Sequence, residues 1–286
     1  MSVSAFHLTL AMRPERRPPM PGSSTIPETK SDKMSVAAMI RWLAGLALLA
    51  WALRSLVVAP FSIPSGSMLP TMAIGDYLFV SKWPYGFSRY SFPGQVPSYS
   101  DRLLGQLPER GDVVIFKRPD AIGADWVKRV IGLPGDTVAM RGGVLVLNGR
   151  ATPKVSVGDV RLPVSPNSPC KLVPSTTSCP FPAFRETLPN GRSYLTIDQI
   201  ADGPGDDIAP ITVPAGHLFL MGDNRDDSLD SRFTLDQGGV GLVPTDRLVG
   251  RAAFAFWSTD GGASYWKPWT WISALRFSRI GTSYQP

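Results

Sequence analysis

Apolar residues run almost unbroken from Val36 to Ala59: Val-Ala-Ala-Met-Ile, then Trp42 to Leu53, then Leu56-Val-Val-Ala59, interrupted by Arg41 and Arg54. About 20 such residues cross a bilayer as a helix. The pattern predicts a transmembrane helix over 35–59. Its length, with candidate chemistry following directly, favours an uncleaved anchor over a cleaved leader. No other run is long and apolar enough to span. Beyond residue 60 the pattern turns to short β-rich runs between Gly and Pro. Strands are predicted at Asp76–Ser81, Asp112–Lys117, Asp125–Ile131, Ile211–Val213, His217–Met221 and Leu248–Trp257. Thr137–Met140 and Val144–Leu147 flank Arg141-Gly-Gly143 as a hairpin, with a turn at Asn148-Gly149. Residues 151–210 are Pro-rich and read as an insertion with one strand, Ser193–Ile197. The class is all-β with a single N-terminal transmembrane helix.

Residues 1–34 have the Pro-, Ser- and charge-rich composition of a disordered tail, and Met34 is an alternative start. Arg13, Arg16, Arg17, Lys30, Lys33 and Arg41 precede the span, so this end is placed in the cytoplasm and residues 60–286 outside it. The 286 residues suffice for one large or two ordinary domains. A net charge of +6 is dispersed and shows no recognition helix, so no nucleic-acid partner is expected. Cys170 and Cys179 share a Pro/Ser/Thr-rich loop, which suits a disulfide in an oxidising compartment. Neither HExxH nor Cys-x-x-Cys occurs, so no metal or other cofactor is expected. Trp257, Trp266, Trp269 and Trp271 are candidates for an interfacial belt or for ordinary core.

Three stretches carry candidate chemistry. Ser65-Gly66-Ser67-Met68, between Pro64 and Pro70, holds hydroxyls on a stiff turn. Serine is a weak nucleophile and needs a base. With two histidines in the chain, and His7 in the tail, a histidine base would have to be His217. Lys128 is the other candidate. Strand alternation puts Trp126, Lys128 and Val130 on one face and Val127, Arg129 and Ile131 on the other, so a buried face aims a cation at apolar surroundings. Burial lowers a lysine pKa; a shift of two to three units costs roughly 3–4 kcal/mol and leaves a neutral amine able to accept the Ser67 proton. Gly222-Asp-Asn-Arg-Asp-Asp-Ser-Leu-Asp-Ser-Arg232 is the third stretch, able to form a rigid hydrogen-bonded loop. Singly, these signals fit an exposed lysine and a solvated turn equally well.

Together they resemble the bacterial type I signal peptidases. The resemblance rests on Pro64-Ser-Gly-Ser-Met68, Arg110-Gly-Asp112, Lys128-Arg129 with Gly132-Leu-Pro-Gly-Asp136, the 222–232 segment and Leu275–Gly281, in that order. It implies an antiparallel β catalytic domain resting on the membrane. It also implies Ser67 as nucleophile, Lys128 as general base and Ser65 with the Ser67 N–H as oxyanion hole. Ser228 would orient the lysine, and Asp230 and Arg232 would form a structural ion pair. Phe61, Ile63, Met68, Leu78, Ile115 and Val127 would line shallow pockets for the small residues before the cleavage point. The expected protein is a monomeric serine endopeptidase of the cytoplasmic (inner) membrane. Its catalytic domain would lie on the periplasmic face and cut signal peptides from exported preproteins. Many relatives have two spans; this sequence has one. The rival readings are a pilus- or conjugation-type Ser/Lys maturation peptidase, a catalytically silent membrane-anchored binding module, and a His217-based hydrolase.

Overall fold

The computed structural model describes residues 35–96, 102–120, 124–170, 177–264 and 266–285; the tail at 1–34 lies outside them. The chain divides between Leu43 and Ala44. Helix α1 (Val36–Ala52) has no buried residue and continues through a π-helical turn, Leu53–Val57. Within the 22 residues Val36–Val57 an 18-residue window has a mean hydropathy of 1.9, so the segment is long and apolar enough to cross a membrane. The predicted helix ran on to Ala59. In the structure Val58 and Ala59 are instead strand, paired with Ser81 and Val80. The cause is local: Pro60 disfavours helical geometry at the residue before it.

Fourteen strands follow among the described residues: β1 (Val58–Ser62), β2 (Asp76–Ser81), β3 (Val113–Lys117), β4 (Asp125–Gly132), β5 (Thr137–Arg141), β6 (Val144–Leu147), β7 (Arg150–Ala151), β8 (Lys154–Pro163), β9 (Ser178–Thr187), β10 (Ser193–Ile197), β11 (Ile208–Thr212), β12 (His217–Met221), β13 (Val243–Pro244) and β14 (Leu248–Ser258). The principal sheet runs β1-β2-β14-β3-β4-β12-β13 and is antiparallel throughout. A second sheet, β11-β5-β6-β7, contains the predicted 137–147 hairpin. Both faces of β4 are covered. Val130 packs with Phe116 and Leu220, and Ile131 packs with Val138 and Phe219. That double burial explains its apolar run and encloses the polar residues it carries.

The Pro-rich insertion is more regular than its composition suggests. β8, β9 and β10 form a third antiparallel sheet, where one strand was expected. Pro180 and Pro182 disguise β9. They lie where β9 pairs with β8 but has run past β10. The Pro182 carbonyl accepts from Asp198 N–H (3.2 Å), on the side away from β8, so the missing N–H interrupts no ladder bond.

Candidate active site

β1 and β2 form a hairpin whose ends are fastened by Ile63 N–H to the Asp76 carbonyl (2.8 Å) and Gly75 N–H to the Ile63 carbonyl (2.9 Å). Ser67 sits in the intervening loop, in a turn closed by Leu69 N–H on the Gly66 carbonyl (3.0 Å). Gly75 has φ +87° and packs so near the Thr259 carbonyl that a Cβ there would overlap it. β3 holds β4 by pairing Val114 with Lys128. The Lys128 ammonium nitrogen lies 2.7 Å from Ser67 Oγ. Lys128 is 2% exposed and Ser67 7%. Burial lowers the Lys128 pKa from 10.5 to about 8; Asp230 pulls it back up and Arg232 pushes it down. About a tenth of the amine is therefore unprotonated at pH 7, far more than at the ordinary lysine value, and it is in contact with a hydroxyl.

The 222–232 segment holds both partners. Asn224 donates its backbone N–H to the Ser67 carbonyl and its side-chain amide to the Gly66 carbonyl, each at 3.1 Å. Asp223 accepts Thr71 Oγ1 (2.5 Å) and a two-pronged ion pair from Arg129 (2.8 and 2.6 Å), the residue after the lysine. Asp230 is fully buried. It accepts from Gly222 N–H (2.9 Å), Ser228 Oγ (2.8 Å) and Arg232 Nε (2.9 Å). Burial works against its ionisation, but Arg232 outweighs it and holds the pKa below the ordinary value. The hydrogen bond that the resemblance places between Ser228 and Lys128 is not formed; Ser228 Oγ turns to Asp230 instead. A Cβ on Gly222 would overlap both Ser228 Oγ and the Ser67 carbonyl.

A cleft of about 640 Å³ opens over Ser67 and Lys128. Phe61, Ile63, Ile115 and Val127 line it, with Ser65 exposed at its wall. Met68 and Leu78 do not line it. Both are fully buried behind the wall, packed with Ile63 and Ile115, because the loop and the β2 register turn them inward. The structure adds Leu229, Phe233, Pro204 and Gln237 to the lining. Leu229 had a visible signal, a lone apolar residue amid charges; Phe233 and Gln237 lie just past the 222–232 stretch, and Pro204 lies in the insertion, to which no chemistry was assigned. His217 is on β12, where its Nδ1 is 3.1 Å from the Ala215 carbonyl, and does not line the cleft.

Two supports had no sequence signal. Asp76 is fully buried and accepts Arg279 Nη2 (2.6 Å), Ser258 Oγ (2.7 Å) and Tyr284 OH (3.0 Å). Arg279 also reaches the Thr71 carbonyl (3.0 Å), so the C-terminal segment clasps the serine loop. Glu186 on β9 pairs with the buried Arg225 at 2.5 Å, bracing the 222–232 segment from the insertion. Cys170 and Cys179 are joined in a disulfide at the end of that sheet. Asp198, Asp206 and Asp226 converge nearby, and Lys154 already pairs with Asp198 there.

Residues 36–257 match the family model described as signal peptidase, peptidase S26. Signal peptidase I of Rickettsia typhi is 33% identical over 253 residues, 81% of this chain and 88% of that protein. Signal peptidase I of Rickettsia akari is 32% identical over 274 residues, 88% and 95%. A solved signal peptidase I from Enterococcus faecalis is 24% identical, with a TM-score of 0.28, over 51% of this chain and 97% of that one.

Proposed function

The chain belongs to the signal peptidase family, peptidase S26, and from that premise we propose that Ser67 is its nucleophile and Lys128 its general base. It is a membrane-anchored serine endopeptidase that removes N-terminal signal peptides from exported preproteins. The observation that carries the residue assignment is a buried amine, its pKa near 8, at 2.7 Å from a serine hydroxyl on the floor of an apolar-walled cleft.

Lys128 takes the Ser67 proton as Oγ attacks the carbonyl carbon before the mature N-terminus. The oxyanion is held by the Ser67 N–H, which makes no hydrogen bond among the described residues, and by the Ser65 hydroxyl. Collapse breaks the C–N bond, and the lysine proton passes to the departing amine. The neutral lysine then draws a proton from water as its oxygen attacks the Ser67 ester; the acyl–Oγ bond breaks, Ser67 Oγ takes the proton back from Lys128, and the signal peptide leaves with a new carboxyl terminus. Phe61, Ile63, Ile115 and Val127 give the apolar walls against which small side chains fit. Asp230 and Arg232 act structurally.

The basic residues before α1 support a cytoplasmic N-terminus, with the β domain on the outer face of a bacterial cytoplasmic membrane. Trp266 (92% exposed) and Trp269 (72%) favour contact with a lipid interface. A monomer suffices, since both dyad residues come from one chain. Purified Ser67→Ala and Lys128→Ala proteins should fold normally and fail to process a preprotein. Cleavage retained by Lys128→Ala would overturn the assignment.

A further inference from the structure

A second cleft, of about 520 Å³, lies at the end of the membrane helix and is lined by Arg54, Lys82, Lys117, Asp125, Phe61 and Phe92, among others. Its one carboxylate is committed, because Asp125 pairs with Lys117 at 2.9 Å. Lys82 is 4% exposed. Its Nζ donates to the Ser91 carbonyl (2.9 Å) and lies 5.9 Å from the Phe61 ring centre. No carboxylate reaches ion-pair distance of it among the described residues. Burial lowers its pKa to about 8, partly offset by Asp125 and reinforced by the nearby cations Lys117, Arg54 and Arg102. Arg54 is exposed and likewise has no acidic partner among the described residues.

Position narrows the ligand. Arg54 sits in the π-helical turn that closes the 22-residue apolar helix. At 1.5 Å per residue that helix is roughly 33 Å long, close to the hydrocarbon thickness of a bilayer. Trp51, on the helix, stacks on Phe92 (5.9 Å between rings), which fixes the cleft wall to the anchor. The cleft therefore stands at the depth of phospholipid headgroups.

We propose that this cleft binds the phosphate of an anionic phospholipid, with Arg54 and Lys82 as its charged donors. An ammonium offers three N–H donors and Lys82 spends one on Ser91, leaving two for phosphate oxygens. Phe61 and Asp125 line this cleft and the catalytic one alike, so a bound headgroup would sit beside the substrate. The inference rests on membrane anchoring and not on the Ser67–Lys128 assignment.

Full-length protein in nanodiscs of phosphatidylcholine, with and without phosphatidylglycerol, tests it, with retained lipid counted by native mass spectrometry. Wild type should retain phosphatidylglycerol in preference to phosphatidylcholine. Arg54→Gln and Lys82→Met should each weaken retention about fivefold, the value of one cation at a membrane surface. Arg54→Gln alters an exposed side chain and decides the matter even if Lys82→Met folds poorly. Equal retention of the two lipids, or unchanged retention by Arg54→Gln, would overturn the proposal. Equal retention of the two lipids together with Arg54-dependent binding of inorganic phosphate would reassign the cleft to a free anion, and equal retention together with Arg54-dependent binding of a signal-peptide substrate would reassign it to the preprotein; both overturn the lipid site. Because no cleavage is read, failure here leaves the dyad assignment untouched, and the reverse holds too.

Discussion

Asn224 donates its backbone N–H to the carbonyl oxygen of Ser67 at 3.1 Å, and its side-chain amide grips the preceding Gly66 carbonyl at the same distance. The turn that carries the nucleophile has few hydrogen bonds of its own. Its position relative to Lys128 is set from outside, by a segment more than 150 residues further along the chain. Asp223 extends the grip to Thr71 and, through Arg129, to the strand that bears the lysine. Hydroxyl and amine are thus held by one charged loop.

Asn224→Ala removes the side-chain half of that grip and keeps the backbone half. One hydrogen bond is worth about 1 kcal/mol of stability, whereas small misplacement of reacting groups costs far more in rate. We expect kcat to fall about tenfold or more with KM little changed and only a small drop in melting temperature. Steady-state kinetics on a signal-peptide substrate, with a thermal melt, would show it; an unchanged kcat would mean that the turn is self-supporting.

Lys128 must be neutral to accept a proton, and its pKa is about 8. kcat/KM should therefore rise about tenfold per pH unit on the acid side and level off above about pH 8. A profile still climbing towards 10.5 would show a wetted, ordinary lysine.

The same shift bears on stability. The folded pKa is below the unfolded one, so between about 8 and 10.5 the native state binds fewer protons, and stability from this residue rises with pH across that window. Below about pH 8 the full penalty applies, roughly 3 kcal/mol. Lys128→Met should be inactive yet at least as stable as wild type at pH 7, with the advantage shrinking by pH 10. Chemical denaturation at the two pH values measures this, and a Met variant clearly weaker at pH 7 would contradict it.

Arg279→Ala strips the main cation from Asp76 and releases the Thr71 carbonyl. Losing hydrogen bonds to a charged group costs about 2–3 kcal/mol, so the melting temperature should drop. Burial alone would raise the Asp76 pKa, but Arg279 brings it below 3.8, so its contribution is complete above that value and lost as pH falls through the folded pKa. The variant should consequently lose less stability than wild type on acidification. Parallel melts from neutral to acid pH would reveal this, and identical acid limbs would rule it out.

The chain by itself determined its periodic elements and its chemistry-bearing stretches. The apolar run after Val36 announces a helix, β-rich apolar runs between turns mark β4 and β14, and Gly-Gly marks the 137–147 hairpin with Asn-Gly as the turn after it, because these signals are local. Ser67, Lys128 and the 222–232 box stood out for the same reason, each being an unusual residue set in a short window. Pro180 and Pro182 misled because a proline's tolerance depends on which side of the strand is open, which only neighbours decide. Met68 and Leu78 were placed in the pocket, and packing put them behind it. Ser228 was given to the lysine, and Asp230 took it. Asp76 with Arg279 and Glu186 with Arg225 left no trace in the sequence, since pairing between distant charges is fixed only when burial removes water as the alternative partner.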